Sequence, residues 1–159
     1  MKIAIIGGAG RSGQLLIDRA LASGYEVTTF VRDRSKIAIQ HDRLKIVEGD
    51  VRDLDRVNAA IQNQAAVISV LGQTRPPTKE LLTIGVGNIL KAMQQNNVTR
   101  LVYLTGAGVR SEKDSAPPIA AKVMMFLLKK MAADVLQDSE QAAELIKRSD
   151  REWIIVRVP

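Results

Sequence analysis

Gly7, Gly10 and Gly13 stand three residues apart in the stretch IIGGAGRSG, between a β-branched apolar run and an amphipathic one. This GxxGxxG spacing has a mechanism at such a junction. The early glycines let the chain turn tightly and bring backbone N–H groups near a pyrophosphate. The last lets helix and strand pack closely, and the helix N-terminus adds partial positive charge. No Gly-Lys-Ser/Thr follows, which excludes a P-loop. An ordinary glycine-rich turn is the plain alternative. Its position at the first strand–helix junction favours dinucleotide binding.

A second group of residues selects between dinucleotides. The next apolar run ends in Arg32, followed by Asp33, Arg34, Ser35 and Lys36. Arg32 comes 19 positions after Gly13, close to the roughly 20 at which an acidic residue would hold the ribose 2′-OH of NAD. A guanidinium there can instead make a forked, charge-assisted contact with a 2′-phosphate. NADP(H) is therefore expected over NAD(H). A solvated basic turn is the other reading, and Asp33 could neutralise Arg32 or accept a ribose hydroxyl itself.

Other chemistries are closed by composition. The 159 residues include no cysteine, which excludes disulfides, thiol nucleophiles and zinc-thiolate sites. The single histidine, His41, lies in the polar run QHDR and cannot form a multi-histidine metal centre, so no metal is expected. The net charge is +6 and the pI about 9.8. Aromatics make up only 3% and none interleaves the basic residues, so stacking on nucleic acid is not expected as the main role. An anionic small ligand uses the charge better. The most apolar later run, VMMFLL at 123–128, is far shorter than the roughly 18 residues that suggest a membrane span. With no signal-peptide pattern either, a cytoplasmic location is expected.

These residues must be positioned by an alternating chain. Strands are predicted at 2–7, 25–32, 43–50, 65–72, 100–106 and 152–159. A first helix over 12–24 presents Leu16, Ala20 and Leu21, and a second over about 53–64 presents Leu54, Val57 and Ile61. A long helix capped by Thr78 runs to about Asn96, burying Leu82, Val86, Ile89, Leu90 and Met93. The polar, Pro-terminated stretch 107–118 reads as a functional loop or lid, and one or two helices cover 119–148. Such alternation predicts one α/β domain over 1–159: a doubly wound parallel sheet of about six strands, with helices on both faces.

The stretches KIAIIGGAGRSGQLL, YEVTTFVRDRSK, VEGDVRD and AAVISVLG resemble the atypical short-chain dehydrogenase/reductase family. The likeness is to its NAD(P)-binding flavin reductase/biliverdin reductase B-like and NmrA-like members. It implies that Gly7, Gly10, Arg11, Ser12 and Gly13 line the pyrophosphate and that Arg32 and Lys36 hold the 2′-phosphate. Asp50 and Val51 would border the adenine, with Leu71, Gly72 and Gln73 beside the nicotinamide ribose.

Two departures from the family matter. The Tyr-x-x-x-Lys pair is absent, because neither Tyr25 nor Tyr103 has Lys four residues later. Thr105, in YLTGAG, is the available hydroxyl, either touching substrate or satisfying backbone, and Lys122 could face the site or water. Relatives also continue past the VRVP position, so this chain looks short of their substrate-side elements. Either a partner chain covers the last strand, as in a homo-oligomer, or the sequence is a truncated product.

The resemblance implies hydride transfer from NADPH to a flavin, quinone or tetrapyrrole-like acceptor, aromatic and suited by the basic surface if anionic. The alternative is a non-catalytic NmrA-like NADP(H) redox sensor acting through a protein partner. A sugar-nucleotide epimerase or dehydratase is a third reading, weakened by the missing tyrosine–lysine pair.

Overall fold

A computed structural model of the protein describes residues 1–106 and 133–158. Within them the chain forms, in order, β1 (Lys2–Ile6), α1 (Arg11–Ala22), β2 (Glu26–Val31), β3 (Leu44–Glu48), α2 (Leu54–Ile61) and β4 (Ala66–Ser69). There follow α3 (Leu81–Gln95), β5 (Arg100–Gly106), α4 (Ala133–Lys147) and β6 (Glu152–Val158). The expected lid at 107–118, the part of the expected helices over 119–132, Lys122 and Pro159 lie outside the described residues.

All six strands pair in parallel in the order β3-β2-β1-β4-β5-β6. The chain thus winds outward from β1 to β3, returns to the middle, and winds the other way from β4 to β6. This is the doubly wound Rossmann arrangement expected from the sequence. Its switch point lies between β1 and β4, where successive connections diverge and leave a crevice at the carboxyl ends of the strands.

Alternation along each strand sends side chains into two layers. Ala4, Ile6, Phe30, Val67, Leu101 and Tyr103 face α2, α3 and α4 in the larger layer. Ile3, Ile5, Val27 and Val31 face α1 in the smaller one. The apolar positions predicted for α3 are buried, Leu90 only partly. On α1 the deepest residue is Ile17, with Leu16 only partly buried. At the sheet's edge, Ile154, Val156 and Val158 of β6 project to the α1 side and are exposed, Ile154 by 61%.

Element boundaries shift for local reasons. Strand β1 stops at Ile6 because Gly7 turns the chain at φ +92°. Helix α2 starts behind Asp53, whose carboxylate accepts the N–H groups of Asp55 and Arg56, and ends at Gln62, where ψ opens to 130°. Helix α3 begins at Leu81, three residues after Thr78, so Thr78 is not its cap. The cap position falls on Glu80, which has φ 54° and makes no side-chain capping bond.

Candidate functional site

The cleft starts at the turn after β1. Gly7 N–H donates to Phe30 O (3.0 Å), fastening the turn to β2, and its φ of +92° is one that L side chains rarely adopt. A Cβ on Gly13 would sit 2.5 Å from Gly7 O and 2.6 Å from Gly8 Cα, so α1 approaches the turn backbone to backbone. Gly10 differs from both. Its φ of −74° suits any residue, and a Cβ there would meet only Gly7 O, at 3.6 Å. Its missing side chain keeps open the space over the first turn of α1.

Among the described residues no carboxylate caps that helix start. The N-cap Gly10 offers no side-chain acceptor, and the first turn of α1 holds no acidic residue. Gln14 N–H donates to Gly10 O (2.9 Å), which leaves the N–H groups of Arg11, Ser12 and Gly13 as the helix's unsatisfied donors. The macrodipole adds to their pull on an anion.

Beyond β2 lies a basic corner. Asp33 accepts hydrogen bonds from Ser35 N–H (3.0 Å) and Ser35 Oγ, capping the 3-10 turn Arg34–Lys36. These bonds hold its carboxyl below the usual range, and the nearby charges of Lys36 and Arg32 lower it a little further. Asp33 makes no ion pair with Arg32, and among the described residues no carboxylate pairs with the Arg32 guanidinium. Past β3, Asp50 receives Arg52 Nε (2.9 Å) and Nη2 (2.6 Å) in a forked pair. Those bonds, chiefly, lower the Asp50 carboxyl to about 2.

The far wall is the loop after β4. A Cβ on Gly72 would touch nothing within 4 Å, so this loop too leaves room for close approach. The side chain of Gln73 points back into the protein. Its Nε2 donates to Asp138 of α4 (2.6 Å) and its Oε1 accepts Thr78 N–H (3.2 Å).

Together these walls enclose about 380 Å³. Of the residues expected to bind the cofactor, Gly7, Gly10, Arg32, Lys36, Asp50, Val51, Leu71, Gly72 and Gln73 line this one cleft. Arg11 and Ser12 are exposed on the first turn of α1, outside that lining, and Gly13 is buried beneath it. Thr105 is buried near the end of β5 and does not line the cleft.

Arg52, Thr74 and Thr78 line the cleft without having been expected to. Arg52 carried a signal, two residues after Asp50, whereas Thr74 and Thr78 carried none. Gly8 was also missed. A Cβ there would overlap Thr29 Oγ1, so it serves packing.

Neither tyrosine stands ready for acid–base work. Tyr103 is buried in the core, and burial, with the charge of Asp138 second, pushes its hydroxyl up to about 12. Tyr25 lies at the start of β2, in a larger, mainly apolar groove of about 580 Å³ at the amino ends of the strands. Open α/β sheets bind their ligands at the opposite end. Among the described residues no cluster of acidic or histidine side chains could hold a metal. Nor is any described helix long and apolar enough to cross a membrane.

Residues 7–159 match the family described as NAD(P)H-binding. The chain belongs to this NAD(P)H-binding family. Membership accords with the likeness to atypical short-chain dehydrogenase/reductases read from the glycine loop and VEGDVRD. The protein YwnB of Bacillus subtilis is 34% identical over 109 residues, 68% of this chain and 48% of YwnB. A short-chain dehydrogenase/reductase from Veillonella parvula, solved in complex with NADP, matches with a TM-score of 0.80 at 22% identity. That match covers 98% of this chain and 68% of the Veillonella one. ChuY, an anaerobillin reductase from Escherichia coli O157:H7, matches with a TM-score of 0.78 at 15% identity, over 99% of this chain and 72% of ChuY. At these identities the two structures speak for the fold. The chain spans about half the length, or less, of the curated relatives first matched.

The site itself fits the family's ligand. An uncapped helix start with open space at Gly10 suits a pyrophosphate, and a second opening at Gly72 faces it across the cleft.

Proposed function

We propose that this protein binds NADP(H) in preference to NAD(H) and acts as an NADPH-dependent reductase of a flavin, quinone or tetrapyrrole-like acceptor. Arg32 carries the cofactor preference: its guanidinium stands on the rim of the cleft, beside Lys36, with no described carboxylate paired to it. The pyrophosphate and the 2′-phosphate then have separate receptors, the first turn of α1 and the basic corner.

When bound, the cofactor supplies a hydride. The chain's own residues bind and orient it: Gly10 and Gly72 admit the backbone close to the ligand, and the loop 71–78 shapes the nicotinamide end. A conjugated acceptor that takes the hydride draws its proton from solvent and needs no tyrosine acid. That suits a cleft whose family tyrosine–lysine pair is missing and whose Tyr103 is buried. The likeness to an anaerobillin reductase supports the tetrapyrrole-like option. Cytoplasmic residence and a small-molecule partner, rather than nucleic acid, belong to the same reading.

A second reading is an NADP(H) redox sensor acting through a protein partner. It is supported by Thr105, the one hydroxyl expected to work on substrate, lying outside the cleft lining.

A thermal melt with NADPH, NADH or neither tests the cofactor claim. NADPH at about 100 times its Kd adds about 2.7 kcal/mol, a rise on the order of 5–11 °C for a domain of this size. Arg32→Asp is expected to abolish most of the NADPH rise and spare any NADH rise. Equal losses for both cofactors overturn the preference. Adding FMN or a quinone then separates the readings: the reductase consumes NADPH, whereas the sensor binds it with constant absorbance.

A further inference from the structure

Asp138 is 3% exposed, on α4, and its carboxylate receives four donors from elsewhere in the fold. Leu82 N–H donates to Oδ2 (2.9 Å), and Thr83 N–H and Oγ1 donate to Oδ1 (2.9 and 2.7 Å). Leu82 and Thr83 are the second and third residues of α3, so Asp138 does from another helix what an N-cap side chain does from its own. This explains how α3 starts without a local cap. The fourth donor has nothing to do with capping. Gln73 Nε2 reaches Oδ2 at 2.6 Å, and Gln73 lines the dinucleotide cleft.

A carboxylate has no proton to give, so it accepts only the NH₂ side of the Gln73 amide. The amide oxygen is thereby turned to Thr78, whose N–H it accepts (3.2 Å). Thr78 Oγ1 lies 2.7 Å from Thr74 Oγ1, and Thr74 Oγ1 in turn donates to Pro76 O (2.7 Å). Gln73, Thr74 and Thr78 all line the cleft. One buried charge thus fixes the Gln73 amide against the Thr78 N–H, in the far wall.

We propose that Asp138 is a positioning residue for the nicotinamide half of the bound cofactor, acting through the orientation of Gln73. The inference rests on the cofactor reading above and adds to it a residue that touches no ligand. Asp138→Ala removes the acceptor altogether. The Gln73 NH₂ then has no oxygen to point at, and its amide is free to turn away from the Thr78 N–H, which releases the loop.

The test uses two ligands on the full chain. Adenosine 2′,5′-bisphosphate occupies only the adenine half, whereas NADPH spans both walls. By calorimetric titration, Asp138→Ala is expected to weaken NADPH about tenfold. The bisphosphate should stay within about twofold of the parent. Asp138→Asn keeps one oxygen, which can stay on Gln73 Nε2 and Leu82 N–H while its NH₂ turns to Thr83 Oγ1. It should therefore hold NADPH much closer to the parent than Asp138→Ala does.

Equal weakening of both ligands, or a loss in Asp138→Asn as large as in Asp138→Ala, means Asp138 serves the helix alone and overturns the proposal. Should Asp138→Ala fail to fold, Asp138→Glu decides. It keeps the charge but moves the carboxylate by one methylene off its Gln73 partner, and is expected to lose NADPH selectively; unchanged NADPH affinity overturns the proposal. If the parent chain binds neither ligand, the cofactor reading itself has failed, and this inference with it.

Discussion

Gly10 and Gly13 share a motif and differ in what they prevent. At Gly13 the neighbours of an added Cβ are backbone atoms that cannot give way. Gly13→Ala is therefore expected to destabilise the fold by about 1–3 kcal/mol, read by urea denaturation. At Gly10 the same methyl meets nothing closer than 3.6 Å in the protein. Gly10→Ala should leave the urea midpoint nearly unchanged and weaken NADPH about tenfold or more, because the methyl takes the ligand's space. If Gly10→Ala unfolds the protein instead, the glycine serves the turn. The pair Asp50–Arg52 makes a pH prediction. A carboxyl held near 2, below its usual 3.8, contributes stability in full above the usual value and loses it as pH falls through about 2. The pair is largely exposed, so Asp50→Asn should cost about 0.2–1 kcal/mol at pH 7. Denaturation curves of parent and variant should converge as pH approaches 2. Gly7, Gly10 and Arg32 were legible because a motif of fixed spacing carries them, whereas Asp50, Val51, Leu71, Gly72 and Gln73 came only from the family resemblance. Asp138 was not legible, since its partner Gln73 is 65 residues away and no local pattern links them.

Among the elements, α1 is the only described helix in the smaller core layer, so its inward face carries that layer's packing. Ile17 is fully buried there, whereas Leu15 is 66% exposed. Ile17→Ala is expected to cost about 2–5 kcal/mol and Leu15→Ala to stay within about 0.5 kcal/mol, both by chemical denaturation. The reverse order would mean α1 is rotated from its described face. Periodicity located this helix and put Ala20 and Leu21 inward, but in a run of three apolar residues, Leu15 to Ile17, it could not say which points deepest. The start of α3 was misread for a different reason. Thr78 is a good capping residue by type, but the cap comes from α4, and a remote cap leaves no mark on the local sequence.

For the whole molecule, strand–helix alternation was enough to predict the doubly wound sheet, because parallel neighbours need crossovers and the crossovers have one hand. What alternation could not show is how completely each face is covered. The exposed Ile154, Val156 and Val158 form an apolar strip on an edge strand, a feature that promotes association. Ile154→Lys is expected to reduce aggregation, measured by light scattering on heating, without changing NADPH affinity. A matching loss of affinity would tie that strip to the cleft.

The bond between Gln73 and Asp138 also orders events in time. A ribosome releases the glycine loop first, then the basic corner, and the loop of the far wall with its two threonines. The carboxylate that orients that wall emerges last among them, on α4. The glycine loop and the basic corner are thus synthesised before the residue that pins the wall opposite them.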